Sequence, residues 1–213
     1  MSRLVWGGRI SLAAGVAATV GALLIGLPVG LFSGYLRGPL ELVAMRVTDV
    51  VLAFPTILLA IAIVAGLGPS NLNAIIAGTI VGFPFYARLV MGNALSLRER
   101  EFVVAARGLG ASMGRIVCRH LFPNTLETVF VGAAVDVGTK IIVMASLSFL
   151  GLGSQPPTPD WGSMLAAGRE FVTSAPHLAT LGLGIFFSVG MLNLLADGVT
   201  ERLSGRHQPS WAA

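Results

Sequence analysis

Residues 10–35 form an apolar run without one acidic or basic side chain, and no other stretch limits so firmly what the chain can fold into. Arg3 and Arg9 precede it, as in a secretory leader. The run is nevertheless too long for a leader's apolar core, and it ends without a small-residue cleavage pattern. About 20 apolar residues cross a bilayer as one helix, so the run reads as a membrane span. Pro28 is expected to kink it, which lipid-embedded helices tolerate when neighbours cover the freed carbonyl. Composition agrees: 54% of residues are hydrophobic and 11% charged, where soluble domains carry about 25% charged residues. Mean hydropathy is +0.82. The 27 glycines suit helices that pack closely in lipid.

Four further spans are expected. The second begins at residue 42 or 47 and ends at 66, with Asp49 near its start and Pro55 inside. An uncharged breaker turn, 66–71, follows. The third occupies about 72–93, interrupted at Gly82-Phe83-Pro84. The fourth, about 125–150, has Asn124 and Glu127 as an N-cap pair. Residues 154–162 hold too many prolines for a helix, because each proline removes a donor and fixes φ. A short amphipathic piece at 163–174 leads to a fifth span at 178–197. The fold class is therefore an all-α polytopic membrane protein of about five spans. Residues 1–9 form an extracytoplasmic lead-in, 10–200 the membrane domain and 201–213 a cytoplasmic tail.

Between spans three and four lies the most charged segment. Six of the 14 Lys and Arg residues fall between Arg88 and Arg119, so the positive-inside bias places this loop in the cytoplasm. Arg37, Arg46, Arg202 and Arg206 then also lie inside. Apolar residues at 102, 105, 106, 109 and 113 recur with helical spacing. Ala105, Ala106, Gly108 and Gly110 are small enough for a partner's backbone to come close. The segment reads either as an elbow shaped for docking or as an ordinary basic loop. The lone Cys118 is expected to be a reduced thiol used as filler.

Other chemistry is thin. The arginines lie between apolar spans, where membrane topology explains them better than nucleic acid does. No G-x-x-x-x-G-K-[ST] is present. Ser146 and Ser148 have no base at membrane depth, since His120 and His207 are expected inside and His177 outside. No His/Cys/Asp/Glu cluster has metal-ligand spacing. Charges within spans stand out because they are costly unless paired or wet. Asp136 and Lys140, four apart, are expected to form an ion pair; they either line a pore or neutralise each other within the bundle. Asp49 and Asp197 are expected to pair with Arg46 and Arg202.

The elbow carries a resemblance. Ala105-Ala106, Gly110 and Phe122-Pro123 resemble the EAA…G…LP signature of ABC-importer permease subunits. Residues 96–102 and 119–124 resemble the C-type permease of the dipeptide/oligopeptide/nickel branch. Ala145-Ser146-Leu147-Ser148-Phe149-Leu150-Gly151-Leu152-Gly153 and the following Pro-rich words through Trp161-Gly162 are also similar, and the resemblance extends to about Arg202. It implies a type I importer transmembrane fold in the inner membrane of a bacterial cell. The elbow, residues 97–124, would be the coupling helix seated in a groove of an ATPase subunit, with Glu101, Val104, Ala105, Ala106, Gly110 and Pro123 as coupling residues. Val104 stands where the family has Glu, and Phe122 where it has Leu. The first departure bears on one polar contact rather than on docking itself. Implied partners are a second, related permease, two ATPase subunits that carry ATP and Mg, and an extracytoplasmic substrate-binding protein. This chain would bind no cofactor or metal and would not itself be an enzyme. Cargo would be di- or oligopeptides, or else nickel or another small solute. Trp161 is expected either to touch the binding protein or to belong to a stiff loop without ligand contact. A secondary transporter is the rival of another class, but no internal repeat is visible. Five spans put the N-terminus outside. Similar permeases carry one more helix before the equivalent of Ser2-Arg3-Leu4, so a start upstream of Met1 is expected.

Overall fold

The computed structural model describes residues 2–36, 38–171 and 180–204. Arg37, His177, Arg206 and His207 lie outside the described residues, as does the side chain of Arg202. The order is α1 (Ser2–Leu36), α2 (Pro39–Leu52), α3 (Thr56–Leu67), α4 (Asn71–Arg98), α5 (Glu101–Gly108), one turn α6 (Met113–Ile116), a π-helical turn (Val117–Leu121), α7 (Phe122–Phe149), α8 (Trp161–Gly168), a 3-10 turn (Arg169–Phe171) and α9 (Thr180–Ser204). Among the described residues three helical stretches are each long and apolar enough to cross a membrane, namely α1, α4 and the continuous run from α6 through α7. The apolar part of α9, Gly182–Gly198, is shorter.

Several expectations need correction. The second span is not one helix. It breaks at Ala53-Phe54-Pro55, where α2 and α3 meet at 93°, because Pro55 has no N–H to continue the ladder. The third span is uninterrupted at Pro84 and runs on to Arg98. Arg88 thus belongs to α4 and not to the elbow. Asn124 is no N-cap. The chain enters α7 through the π turn, and the Asn124 amide donates to the His120 carbonyl at 2.6 Å from within the helix. The 66–71 turn stands as read: Ser70 accepts from the Asn73 N–H at 3.0 Å, and the Asn73 amide closes on the Leu67 and Gly68 carbonyls.

Helices α1 and α4 lie side by side and parallel, since Gly21, Gly26, Gly30 and Gly34 meet Thr79, Phe83–Tyr86, Ala87–Val90 and Met91–Ala94 in ascending order. A β-carbon on Gly26 would lie 2.6 Å from the Phe83 carbonyl oxygen, and one on Gly30 would lie 2.5 Å from that of Ala87. Only glycine lets the two backbones approach so closely. Helix α7 runs antiparallel across both, with Ile141 against Gly15 and Met144 against Gly78. Helices α8 and α9 pack on α7. The apolar core has two parts. One lies toward the Pro-rich hairpin, around Ala18, Val64, Ala77 and Leu147. The other lies under the elbow, around Leu31, Val90, Val103, Ile116 and Val129.

Candidate functional site

The elbow is held from behind and open in front. At the end of α4 the Arg98 guanidinium is nearly buried; it pairs with Glu99 at 2.9 Å and donates to the Gly34 carbonyl of α1 at 3.4 Å. The chain then turns at Arg100, whose extended backbone starts α5. Glu101 in the first turn and Arg107 in the last complement the helix dipole. The Arg107 guanidinium lies 5.6 Å from the Tyr35 ring centroid, a cation–π contact that again reaches the end of α1. Val103 is the one α5 residue fully buried; it packs with Leu31, Val90, Ala94 and Leu121.

The stop of α5 is a Schellman motif. The Ala111 N–H bonds to the Ala106 carbonyl and the Gly110 N–H to that of Arg107, both at 3.0 Å. Gly110 sits at φ +77° with nothing within 4 Å of a would-be β-carbon. Gly110 is thus required by backbone conformation and not by space. Past this stop the chain reverses into α6 and the π turn. The Phe102 ring lies 6.0 Å from that of His120 across the elbow, and Cys118 is exposed.

The face turned away from the helices is largely apolar, with Glu101 exposed on it. Phe102, Val104 and Leu109 are 43%, 52% and 88% exposed, with Ala105 exposed beside them. Burying such a surface is favourable at about 25 cal/mol per Å². The anchor Val103 escaped the sequence reading because it lies off the 102/105/106/109 stripe; of that stripe Phe102, Ala105 and Leu109 are exposed and Ala106 is half-buried. Glu101 and Pro123 are also exposed. Beside them Leu97, Glu99, Arg100, Glu101, Phe102, Asn124 and Glu127 line a mixed polar hollow of about 620 Å³.

The other expected site residues lie elsewhere. Lys140 donates to Asp136 at 2.9 Å, and the second Asp136 oxygen accepts from Tyr86 at 3.0 Å and Thr19 at 3.3 Å. Both charges are buried among α1, α4 and α7, where the Lys140 stem lies against Gly82. Trp161 is 6% exposed. Its indole donates to the Leu4 carbonyl at 3.0 Å and its backbone N–H to Ser11 at 3.1 Å, so it faces inward onto α1. Asp49 pairs with Arg88 of α4, not with Arg46, because α2 packs on α4 and turns Asp49 toward it. Asp197 is exposed. Gly26, Gly30 and Gly34 of α1, which meet α4, were missed, although their four-residue spacing is legible in the sequence.

With this geometry in view, comparison with known proteins is specific. Residues 26–207 match the family model described as binding-protein-dependent transport system inner membrane component. The dipeptide transport system permease protein DppC of Alkalihalophilus pseudofirmus is 45% identical over 203 residues, covering 95% of this chain and 67% of the relative. The glutathione transport system permease protein GsiD of Pectobacterium atrosepticum is 44% identical, and that of Escherichia coli 48%, over the same shares. Among solved structures, a chain of the MetNI methionine ABC transporter in an inward-facing conformation superposes with a TM-score of 0.77 at 22% identity, covering 95% of this chain and 96% of that one. A chain of an amino acid ABC transporter gives 0.72 at 17% identity and 94% of each.

Proposed function

The chain belongs to the family of binding-protein-dependent transport system inner membrane components, and from that premise we propose that it forms part of the path by which di- and oligopeptides enter the cell. It is a membrane permease subunit and not an enzyme. Its relatives are named for dipeptide and glutathione transport, and both cargoes are small peptides with free charged ends. In this reading a second, related permease closes the path, two ATPase subunits bind the elbows from the cytoplasm, and an extracytoplasmic binding protein delivers cargo. The rival of a proton- or sodium-driven transporter falls away with the family.

The observation that carries the reading is the elbow's construction, an apolar outer face on a helix fastened at its back to α1 and α4. ATP binding would draw the two ATPases together, and each elbow would follow. Arg98 and Arg107 tie the elbow to Gly34 and Tyr35, and the glycine contacts lock α1 to α4. The Asp136–Lys140 pair, bonded to Tyr86 and Thr19, fastens α7 to both. A push on the elbow therefore moves three helices as one body. The test is uptake of a labelled dipeptide into proteoliposomes holding this chain, the second permease and the ATPases, with the binding protein outside and ATP inside. Uptake that needs ATP and the binding protein is expected. Uptake driven by an ion gradient without ATP would contradict the proposal.

A further inference from the structure

Within the spans, the pair Asp49–Arg88 differs from the buried pair Asp136–Lys140. Its side chains are 40% and 57% exposed, on the outside of this chain. Arg88 stands ten residues before the end of α4, about 15 Å along a helix rising 1.5 Å per residue. Asp49 stands three residues before the end of α2, a helix that starts beside the end of α1, where Leu36, Glu41 and Ala44 line one hollow. Facing lipid, a half-exposed ion pair would lose its water without gaining the hydrogen bonds that make burial tolerable.

A second observation falls on the same side. Just beyond Asp49, once the Ala53 N–H has closed the last helical turn on the Asp49 carbonyl, the chain leaves helical geometry at Phe54-Pro55, and Ala53 through Thr56 are all exposed. Non-helical backbone within a membrane is tolerated where it lines water or is covered by protein, not where it meets lipid. The outward stripe of α4 continues the surface with Phe85, Arg88, Gly92 and Ser96 at helical spacing, all exposed, and Gly92 opens onto empty space.

We propose that this face, and not the Asp136–Lys140 pair, is the wall of the aqueous path, and that Arg88 and Asp49 receive the carboxylate and the ammonium group of a zwitterionic solute. The inference rests on the function proposed above and names the chemistry of its path. A guanidinium offers paired donors that match a carboxylate. Asp49 supplies the acceptor for a free amine, so the pair opens to the solute and closes behind it.

The test uses the assembled importer with Cys118→Ser and either Arg88→Cys or, as a dry control on the apolar face of α9, Phe187→Cys. A charged, membrane-impermeant thiol reagent is expected to modify residue 88 in at least one nucleotide state, and dipeptide with binding protein and ATP is expected to slow that reaction. Residue 88 as unreactive as residue 187 in every state, in an importer whose unaltered form takes up dipeptide, overturns this inference alone. No dipeptide uptake by the unaltered importer overturns both readings. Arg88→Gln is expected to lower dipeptide uptake about 10- to 100-fold, the size of a lost charge-assisted hydrogen bond, with the complex still assembled. The exchange Asp49→Arg with Arg88→Asp keeps an ion pair and is expected to leave uptake low. Full recovery by that exchange would show a merely structural tie and overturn the proposal.

Discussion

The elbow after α5 and the hairpin after α7 use the same helix stop and do opposite things with it. Gly151 sits at φ +80°, and the Leu152 and Gly151 N–H groups return to the Leu147 and Ser148 carbonyls, as at Gly110. Beyond Gly151 the chain folds back onto its own helix. A β-carbon on Gly162 would lie 2.2 Å from the Ala145 carbonyl oxygen, and one on Gly153 would lie 2.8 Å from the Ser148 α-carbon. Asp160 caps α8 through the Gly162 and Ser163 N–H groups, and Trp161 is sealed against α1. Beyond Gly110 nothing among the described residues covers the outer face of α5. Identical backbone chemistry thus ends in a closed joint at one pole and an open handle at the other, decided by the residues that follow the glycine.

If that contrast is right, substitutions in the hairpin act on stability, whereas those in the elbow act on assembly and transport. Gly162→Val should have the largest effect, about 3 kcal/mol or more of destabilisation by overpacking against backbone, read as a lowered Tm in detergent. An unchanged Tm would break the contrast at once. Gly110→Ala should cost about 1–2 kcal/mol because its backbone is left-handed. Membrane insertion should survive while uptake falls sharply, and larger residues such as Gly110→Trp should do the same; normal uptake by either would count against the lever. Trp161→Phe, which removes the bond to the Leu4 carbonyl, should cost about 1 kcal/mol and leave binding-protein-stimulated ATP hydrolysis nearly intact. Leu109→Ser should change stability least, by under about 0.5 kcal/mol, yet reduce co-purification of the ATPase. A lowered Tm with intact co-purification would reverse the assignment.

Much of this was legible in the sequence for identifiable reasons. The arginine-bordered elbow announces itself because charge is rare in such a chain, and Gly110 stands where a helix must stop. The spans around α1, α4 and α7 follow from hydropathy, since a long apolar run has few other fates. Partner choice was not legible. Asp49 has Arg46 three residues away, but α2 turns it toward Arg88, 39 residues on. Trp161 looks like a surface residue in a Pro-rich loop until α1 supplies Leu4 and Ser11. The break at Pro55 was visible only as a proline inside a span, and a proline alone does not separate a kink from a 93° turn.

The handle itself is most directly tested by cross-linking. Leu109→Cys with Cys118→Ser, in the assembled importer in native membranes, places the sole cysteine of this chain at the tip of the open face. A short reagent with a maleimide at one end, which takes the thiol at residue 109, and a photo-activated diazirine at the other, which inserts into any neighbouring side chain, is predicted to join residue 109 to an ATPase subunit, in a yield that changes with nucleotide. A cysteine that reacts only from the extracytoplasmic side, or that never joins the ATPase in an importer active for uptake, would contradict the account.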